Sequence, residues 1–410
     1  GSGNFPIRDI VYAETILYKD SFDPNGRFKE PYYPGMEDRL PRNIKDCLWY
    51  VPCDFYRCRS IWKVLRLMRS CNKDNKKFLI KEQWLTAGDY IWAITTALTL
   101  GKSVRNIPIW NSYDISRVIV YEISKQAGSG WLVEPLLLYR FIRRLKEKNV
   151  RIKFVLDWNE NQQIDRALCL AIRKYYPGVL ISGYQGYVVS QRFVSHDLTD
   201  YEVKAETTPD RIFVVSEKLV VERKRYCKEL DVRTAPAFRF QPAIDFINEG
   251  AHKDIILVGC PIQPLAVTWI LKLCLEATIP KKYRVVIKRH PLTTKEEFFL
   301  QAPEARNELF QVDSRNFHDI FQDTALLVSF DSTICVEAAV CGIPVAVVAE
   351  PTRGGNPLAG RVDEKYWSEV YSAADLTEAI IRHEKSTFPQ MSEFFVPVTS
   401  ETVSTMFQST

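Results

Sequence analysis

From about residue 131 the apolar positions fall into alternating blocks of two periods. Residues 131–148 carry apolar side chains at helical spacing with a basic far end, and residues 151–158 form a short β-rich run. Residues 161–176 read as an amphipathic helix stopped by Pro177-Gly178. A strand at 179–182 then enters Gly183-Tyr184-Gln185-Gly186. The alternation goes on with a strand at 211–215, a helix at 217–230 and a strand at 232–235. A second series opens at Asp254, with strands at 255–259, 284–288, near Phe310, at 325–329 and at 344–348. Helices at 265–276, 294–300 and 332–341 separate them, and two more are expected near 364–371 and 376–384.

Parallel neighbours need a crossover connection, so strands and helices alternating at this spacing predict α/β architecture with helices on both faces of a parallel sheet. Two such series predict two Rossmann-like domains facing a central cleft. The expected boundaries are an N-terminal domain at 4–240, a C-terminal domain at 241–385 and a tail at 386–410 that returns to the first domain. The Pro- and Phe-rich stretch 236–250 is the expected linker. The opening, as far as Lys77, shows no clean period and is expected to be irregular.

Composition narrows the class. The chain has 410 residues, 46% hydrophobic and 26% charged, enough for two cores. Gly1-Ser2-Gly3 reads as an expression remnant, and the alternation of charged and apolar residues after Asn4 is not that of a secretory leader. The apolar runs fall short of the roughly 20 residues a spanning helix needs. The ten cysteines are scattered, several within apolar runs, which points to a reducing cytoplasm. Cys47, Cys53, Cys58 and Cys71 lack zinc-site spacing, no Asp-x-Asp loop occurs, and no metal or other cofactor is expected. A formal charge of +5 is too small to argue for nucleic acid but suits an anionic ligand. The basic aromatic stretches 62–77 and 139–153 leave two readings open, peripheral contact with anionic lipid at the inner membrane or solvated helix faces.

Three segments carry candidate chemistry. Residues 285–291 form an apolar strand ending in Lys288, Arg289, His290 and Pro291, where open α/β sheets place their ligands. Residues 326–333 form a strand running into Ser329, Asp331, Ser332 and Thr333 at a helix start, where free N–H groups, hydroxyls and the helix dipole suit a phosphate. Asp331 or Ser332 acting only as a helix cap is the competing reading. The ends of these two strands are expected to be neighbours that hold one anionic group together. In the first half, Asp157 and Glu160 follow a strand and precede a helix. They are the candidate catalytic carboxylates, with an exposed first helical turn as the alternative for Glu160. Arg239, near the domain junction, suits either a carboxylated sugar or an interdomain ion pair.

Lys288-Arg289-His290-Pro291 and, some forty residues on, Ser329-Phe330-Asp331-Ser332-Thr333 resemble the His-Pro and Ser-Ser/Thr motifs of bacterial sialyltransferases, polysialyltransferases and Kdo transferases of capsule and O-antigen assembly. The resemblance covers mainly residues 255–348, and Asp331 intervenes where those families have a tighter hydroxyl pair. It implies a GT-B fold and a CMP-activated acidic sugar as donor. His290 would meet the CMP phosphate or act on the leaving group, Ser332 and Thr333 would bind the phosphate, and Glu337 would bind the ribose. The implied reaction moves a Kdo- or sialic-acid-like sugar to a bacterial surface glycan, free or lipid-linked. A CDP-polyol phosphotransferase and a non-catalytic sugar- or nucleotide-binding module are the rival expectations.

Overall fold

The computed structural model describes residues 9–408, apart from 59, 104–108, 110–111, 128, 248–252, 350–354, 385 and 387. The first half is a six-stranded parallel sheet in the order β2-β1-β3-β4-β5-β6, with β1 (Asp9–Leu17), β2 (Leu48–Phe55), β3 (Arg151–Trp158), β4 (Leu180–Gln185), β5 (Arg211–Val214) and β6 (Asp231–Thr234). Two single turns, α1 (Met36–Arg39) and α2 (Arg42–Lys45), join β1 to β2. Four helices, α3 (Ile61–Lys73), α4 (Ala87–Ser103), α5 (Ser116–Gln126) and α6 (Gly130–Glu147), lie between β2 and β3. The remaining connections use α7 (Gln163–Tyr175), α8 (Asp200–Lys204) and α9 (Glu217–Arg223), and α10 (Gln241–Ile244) follows β6.

The second half repeats the plan in the order β12-β11-β10-β7-β8-β9. Its strands are β7 (Ile255–Gly259), β8 (Arg284–Lys288), β9 (Phe310–Val312), β10 (Thr324–Ser329), β11 (Val345–Val348) and β12 (Trp367–Val370). Its helices are α11 (Pro264–Glu276), α12 (Lys295–Gln301), α13 (Phe317–Phe321), α14 (Thr333–Val340) and α15 (Ala373–His383), and α16 (Ser400–Thr405) closes the chain. All described strand pairings are parallel, apart from one isolated antiparallel bridge between Phe22 and Phe28.

The sequence pattern explains most of these elements. α6 and α7 bury one stripe each, Leu138, Phe141, Ile142 and Leu145 on α6 and Leu168, Cys169 and Ile172 on α7. Both stripes pack against Tyr12, Val155 and Ile181 of the sheet. Three stretches differ from expectation. The opening is not irregular, because it supplies β1 and β2. β1 hides because a buried central strand has no alternation to read, and it carries Glu14 and Thr15 at 2% and 0% exposure. The helix expected at 364–371 is a single 3-10 turn followed by edge strand β12, and the one expected at 217–230 stops at Arg223.

The tail runs back to the first half. Val396 N donates to Val215 O at 3.1 Å and Ala237 N to Val396 O at 2.8 Å. The Phe240 and Phe395 rings stack at 4.3 Å. Farther on, the buried Arg211 donates to the carbonyls of Met406 and Gln408, and Phe407 meets Phe154 at 5.1 Å. Met406 is fully buried. Met406→Ala should therefore lower stability by about 2–5 kcal/mol, read as a shift in the urea midpoint with the slope unchanged.

Candidate functional site

In a parallel sheet every strand ends on the same edge, and the point where strand order reverses leaves a crevice there. The reversal falls between β1 and β3 in the first half and between β7 and β10 in the second. Interdomain contacts bound the space between the two edges on both sides. On one side Arg57, just past β2, donates from Nη1 to Leu292 O at 2.6 Å. On the other, the buried Arg361 donates from Nε and Nη2 to both carboxylate oxygens of Glu222 on α9, at 2.8 and 2.5 Å, and from Nη1 to Val189 O at 2.6 Å.

Three cationic or imidazole side chains converge near the first boundary. Arg57 adopts a left-handed backbone, φ 56°, uncommon for a residue with a β-carbon. Arg239 leaves a 3-10 turn whose flanking Phe238 and Phe240 are buried, so its own side chain is sent outward to lie 5.6 Å over the Trp158 ring. His290 feels the positive charge of both arginines. Burial first, then Arg57 and Arg239, hold its imidazole pKa below the ordinary value. His290 Nδ1 accepts from Leu292 N at 3.2 Å, which assigns the proton of the neutral ring to Nε2. At neutral pH His290 is thus a neutral hydrogen-bond donor, with the full charges supplied by the arginines.

Beside Arg239 lies an acidic loop. Trp158 stacks on Tyr32 with rings 4.1 Å apart and 8° from parallel, and its Nε1 donates to Glu160 Oε1 at 2.8 Å. Gln162 Nε2 donates to Glu160 Oε2 at 2.6 Å. The buried Asp165 ties this loop to α7 by accepting from Glu160 N at 3.0 Å and Gln162 N at 2.8 Å, a capping box legible as Gln162-x-x-Asp165. Asn161 makes the turn with φ 57°. Gly186 is needed for the same ring, because a β-carbon there would lie 2.6 Å from Trp158 Cζ3.

Beneath the loop, Asp157, Glu14 and Asp165 bring one carboxylate oxygen each within 4.8 Å of one another, all buried. Asn159 Nδ2 donates to Asp157 Oδ2 at 3.0 Å. Burial and then the charge of Asp157 push the Glu14 and Asp165 pKa values upward, and burial raises that of Asp157 itself. Two chemistries satisfy such a set, protons shared among the oxygens or a hard cation with oxygen ligands. Asp157 therefore stands under the cleft and orients its neighbours, while Glu160, half-buried, is the carboxylate presented at its edge.

The expected phosphate residues are more dispersed than their motifs suggest. β8 and β10 are not neighbours: Gly259 of β7 pairs with Lys288 on one side and Ser329 on the other. His290 and Ser332 thus leave the same edge one strand apart, roughly 10 Å at ordinary strand spacing. Ser329 is buried and donates to Gly259 O at 2.8 Å, a tie between strands. Thr333 Oγ1 donates to Val188 O of the first half at 3.1 Å, and Ser332 caps α14 with its side chain unbonded to the helix. The Asp331 carboxylate accepts from Ser190 and Gly355, and burial raises its pKa. Lys288 turns aside to Arg315 O and the Phe317 ring, and Pro291 is exposed. Glu337 sits a turn down α14, its Oε2 3.3 Å from His318 Nε2 on α13. Sequence reading missed Arg57 and the acidic partners Glu14 and Asp165. A pocket of about 460 Å³ lined by Pro34, Phe238, Arg239 and Val398 among others includes Arg239 and none of the other candidate residues.

No protein-family model matches the chain, and no curated protein matches it. Among solved structures it is similar to the Anabaena protein HepE, crystallised with UDP and glucose, at 9% identity over 97% of this chain and 98% of that one, with a TM-score of 0.48. It is similar to the calicheamicin glycosyltransferase CalG4 at 13% identity over 98% and 94%, TM-score 0.48. It is similar also to UDP-N-acetylglucosamine 2-epimerase from Rickettsia bellii at 11% identity over 92% and 89%, TM-score 0.45.

The buried carboxyls make stability depend on pH. Burial lifts Glu30, which accepts from Thr15 Oγ1 and Tyr32 N, to about 7. In the folded chain it keeps a proton that the unfolded chain releases near pH 4.3, so its contribution is present below that value and is lost as pH rises toward 7. Glu14 acts in the same sense. The melting temperature should fall between about pH 5 and about pH 8, and Glu30→Gln should flatten the slope below about pH 7. A slope unchanged in the variant would remove Glu30 from the account.

Proposed function

We propose that this chain is a glycosyltransferase of the GT-B type that takes an acidic sugar from a CMP-activated donor and gives it to a surface glycan or lipid-linked glycan acceptor. The observation that carries this reading is the convergence of Arg57, Arg239 and His290 beside the loop that presents Glu160, with Arg239 over the Trp158 ring that donates to Glu160. A donor of this kind brings two anionic groups, a phosphate and a sugar carboxylate, and two fixed guanidinium groups with a neutral N–H donor match that charge.

In this reading Arg57 and Arg239 hold the anionic groups, and His290 Nε2–H donates to a phosphate oxygen as negative charge grows on departing CMP. Glu160, oriented by Trp158 and Gln162, takes the proton of the acceptor hydroxyl. The Thr333 bond to Val188 and the Asp331 contact to Ser190 belong to an arrangement with the halves apposed. Ser332 and Thr333 meet the nucleotide when the halves separate.

Release of free nucleotide from CMP-Kdo, CMP-sialate, CDP-glycerol and UDP-glucose tests the proposal, the last arm prompted by the ligand of the Anabaena neighbour. Turnover of a CMP-sugar is expected. Arg239→Ala should lower kcat/KM by about 10²–10³, and Glu160→Gln should lower kcat by about 10²–10⁴ with KM little changed. Turnover of CDP-glycerol or UDP-glucose alone would replace this donor assignment.

A further inference from the structure

Among the described residues, none covers the outer layer of the first half. α4 packs on α6 and buries Asp89, Ala93 and Ala97, while Ile91, Ile94 and Leu98 face outward at 63%, 46% and 57% exposure. The polar positions on that face satisfy themselves. Thr95 Oγ1 donates to Ile91 O at 2.8 Å and Thr99 Oγ1 to Thr95 O at 2.8 Å, which leaves their methyl groups for the surroundings. From Ile91 to Thr99 the face carries no charge and asks nothing of water.

α5 supplies an independent observation. It has no buried residue, and an eleven-residue helix is marginal in water without a surface to pack on. Val118 and Tyr121 are both 63% exposed on it, and Trp131, at the start of α6, is 75% exposed. Exposed Arg117 and Lys125 flank these groups, with Glu122 the one exposed acid of α5. Across the layer Trp92, Tyr139 and Tyr175 form a row with ring spacings of 6.3 and 5.5 Å. Arg140 lies over the first ring and Lys174 over the other two. Apolar side chains bordered by aromatic rings and cations match the boundary between acyl chains and anionic headgroups. No described helix is long and apolar enough to cross a membrane, so the contact is one of lying on the surface.

We propose that α4 and α5, with Trp131, dock the first half flat on an anionic lipid bilayer. Of the two stretches singled out in the sequence for this role, 139–153 is half given over to the core through Phe141, Ile142 and Leu145, and the lipid-facing residues precede it. The surface stands beside the candidate site: Gln126, at the end of α5, accepts from Gln163 at the start of α7, directly after the Glu160 loop. The inference holds whichever donor the cleft takes.

Flotation of the whole chain with vesicles of phosphatidylcholine, alone or mixed with phosphatidylglycerol, tests it. The chain should float with the mixed vesicles and, less strongly, with the neutral ones, and added salt should release part of it. The double variant Ile94→Glu with Leu98→Glu, both exposed and so compatible with folding, should lower partitioning by about tenfold or more. Leu300→Glu, exposed on α12 of the other half, should leave it unchanged. A circular-dichroism melt checks that the variants fold. Absence of the chain from mixed vesicles, or equal flotation of the double variant, overturns the proposal. So does a lipid-free dimer in sedimentation that the double variant dissociates, which would assign the face to a second copy.

Discussion

Parallel pairing is the constraint on which the site depends. Because each strand must be followed by a crossover, every strand end in a sheet lies on one edge, and the residues after those ends meet whatever faces that edge. Here two such edges face one another, and Arg57, Glu160, Arg239 and His290, which lie as much as 233 residues apart in the chain, share a single opening. The register of Gly259 with both Lys288 and Ser329 sets how far apart the two motifs of the second half can be.

Charge is layered within that frame. The arginines sit at the surface of the cleft, where water reaches them, whereas Glu14, Asp157 and Asp165 sit below, where burial works against ionisation. Asp165 links the layers, since the same carboxylate that belongs to the buried set accepts the backbone N–H groups of Glu160 and Gln162. A change in protonation underneath is therefore felt by the loop above, through hydrogen bonds and not through distance alone.

Much of this was readable in the residues, and the exceptions have physical causes. β3, β7, β8 and α14 announce themselves because their apolar runs end in turn and cap residues. β1 does not, because it is buried from Ile10 onward and includes a glutamate and a threonine that face Asp157 of β3 and Glu30 of the connection after β1. His290 stood out as a histidine at a strand end. Arg57 did not, since its importance comes from a left-handed backbone and a carbonyl 235 residues away. Ser329 looked like a ligand, but its hydroxyl is used to tie two strands, a choice made by register and invisible in composition.

The return of the tail has a mechanical meaning. The polypeptide passes between the two halves twice, near Ala237 and again near Val396, and the two passages are joined by a hydrogen bond and by the stacked rings of Phe240 and Phe395. One thread would let the halves swivel freely, but a pair laid side by side acts as a door hinge that allows swinging and resists twist. Any swing of one half against the other would then follow a single path, and the two walls would meet each time in the same alignment.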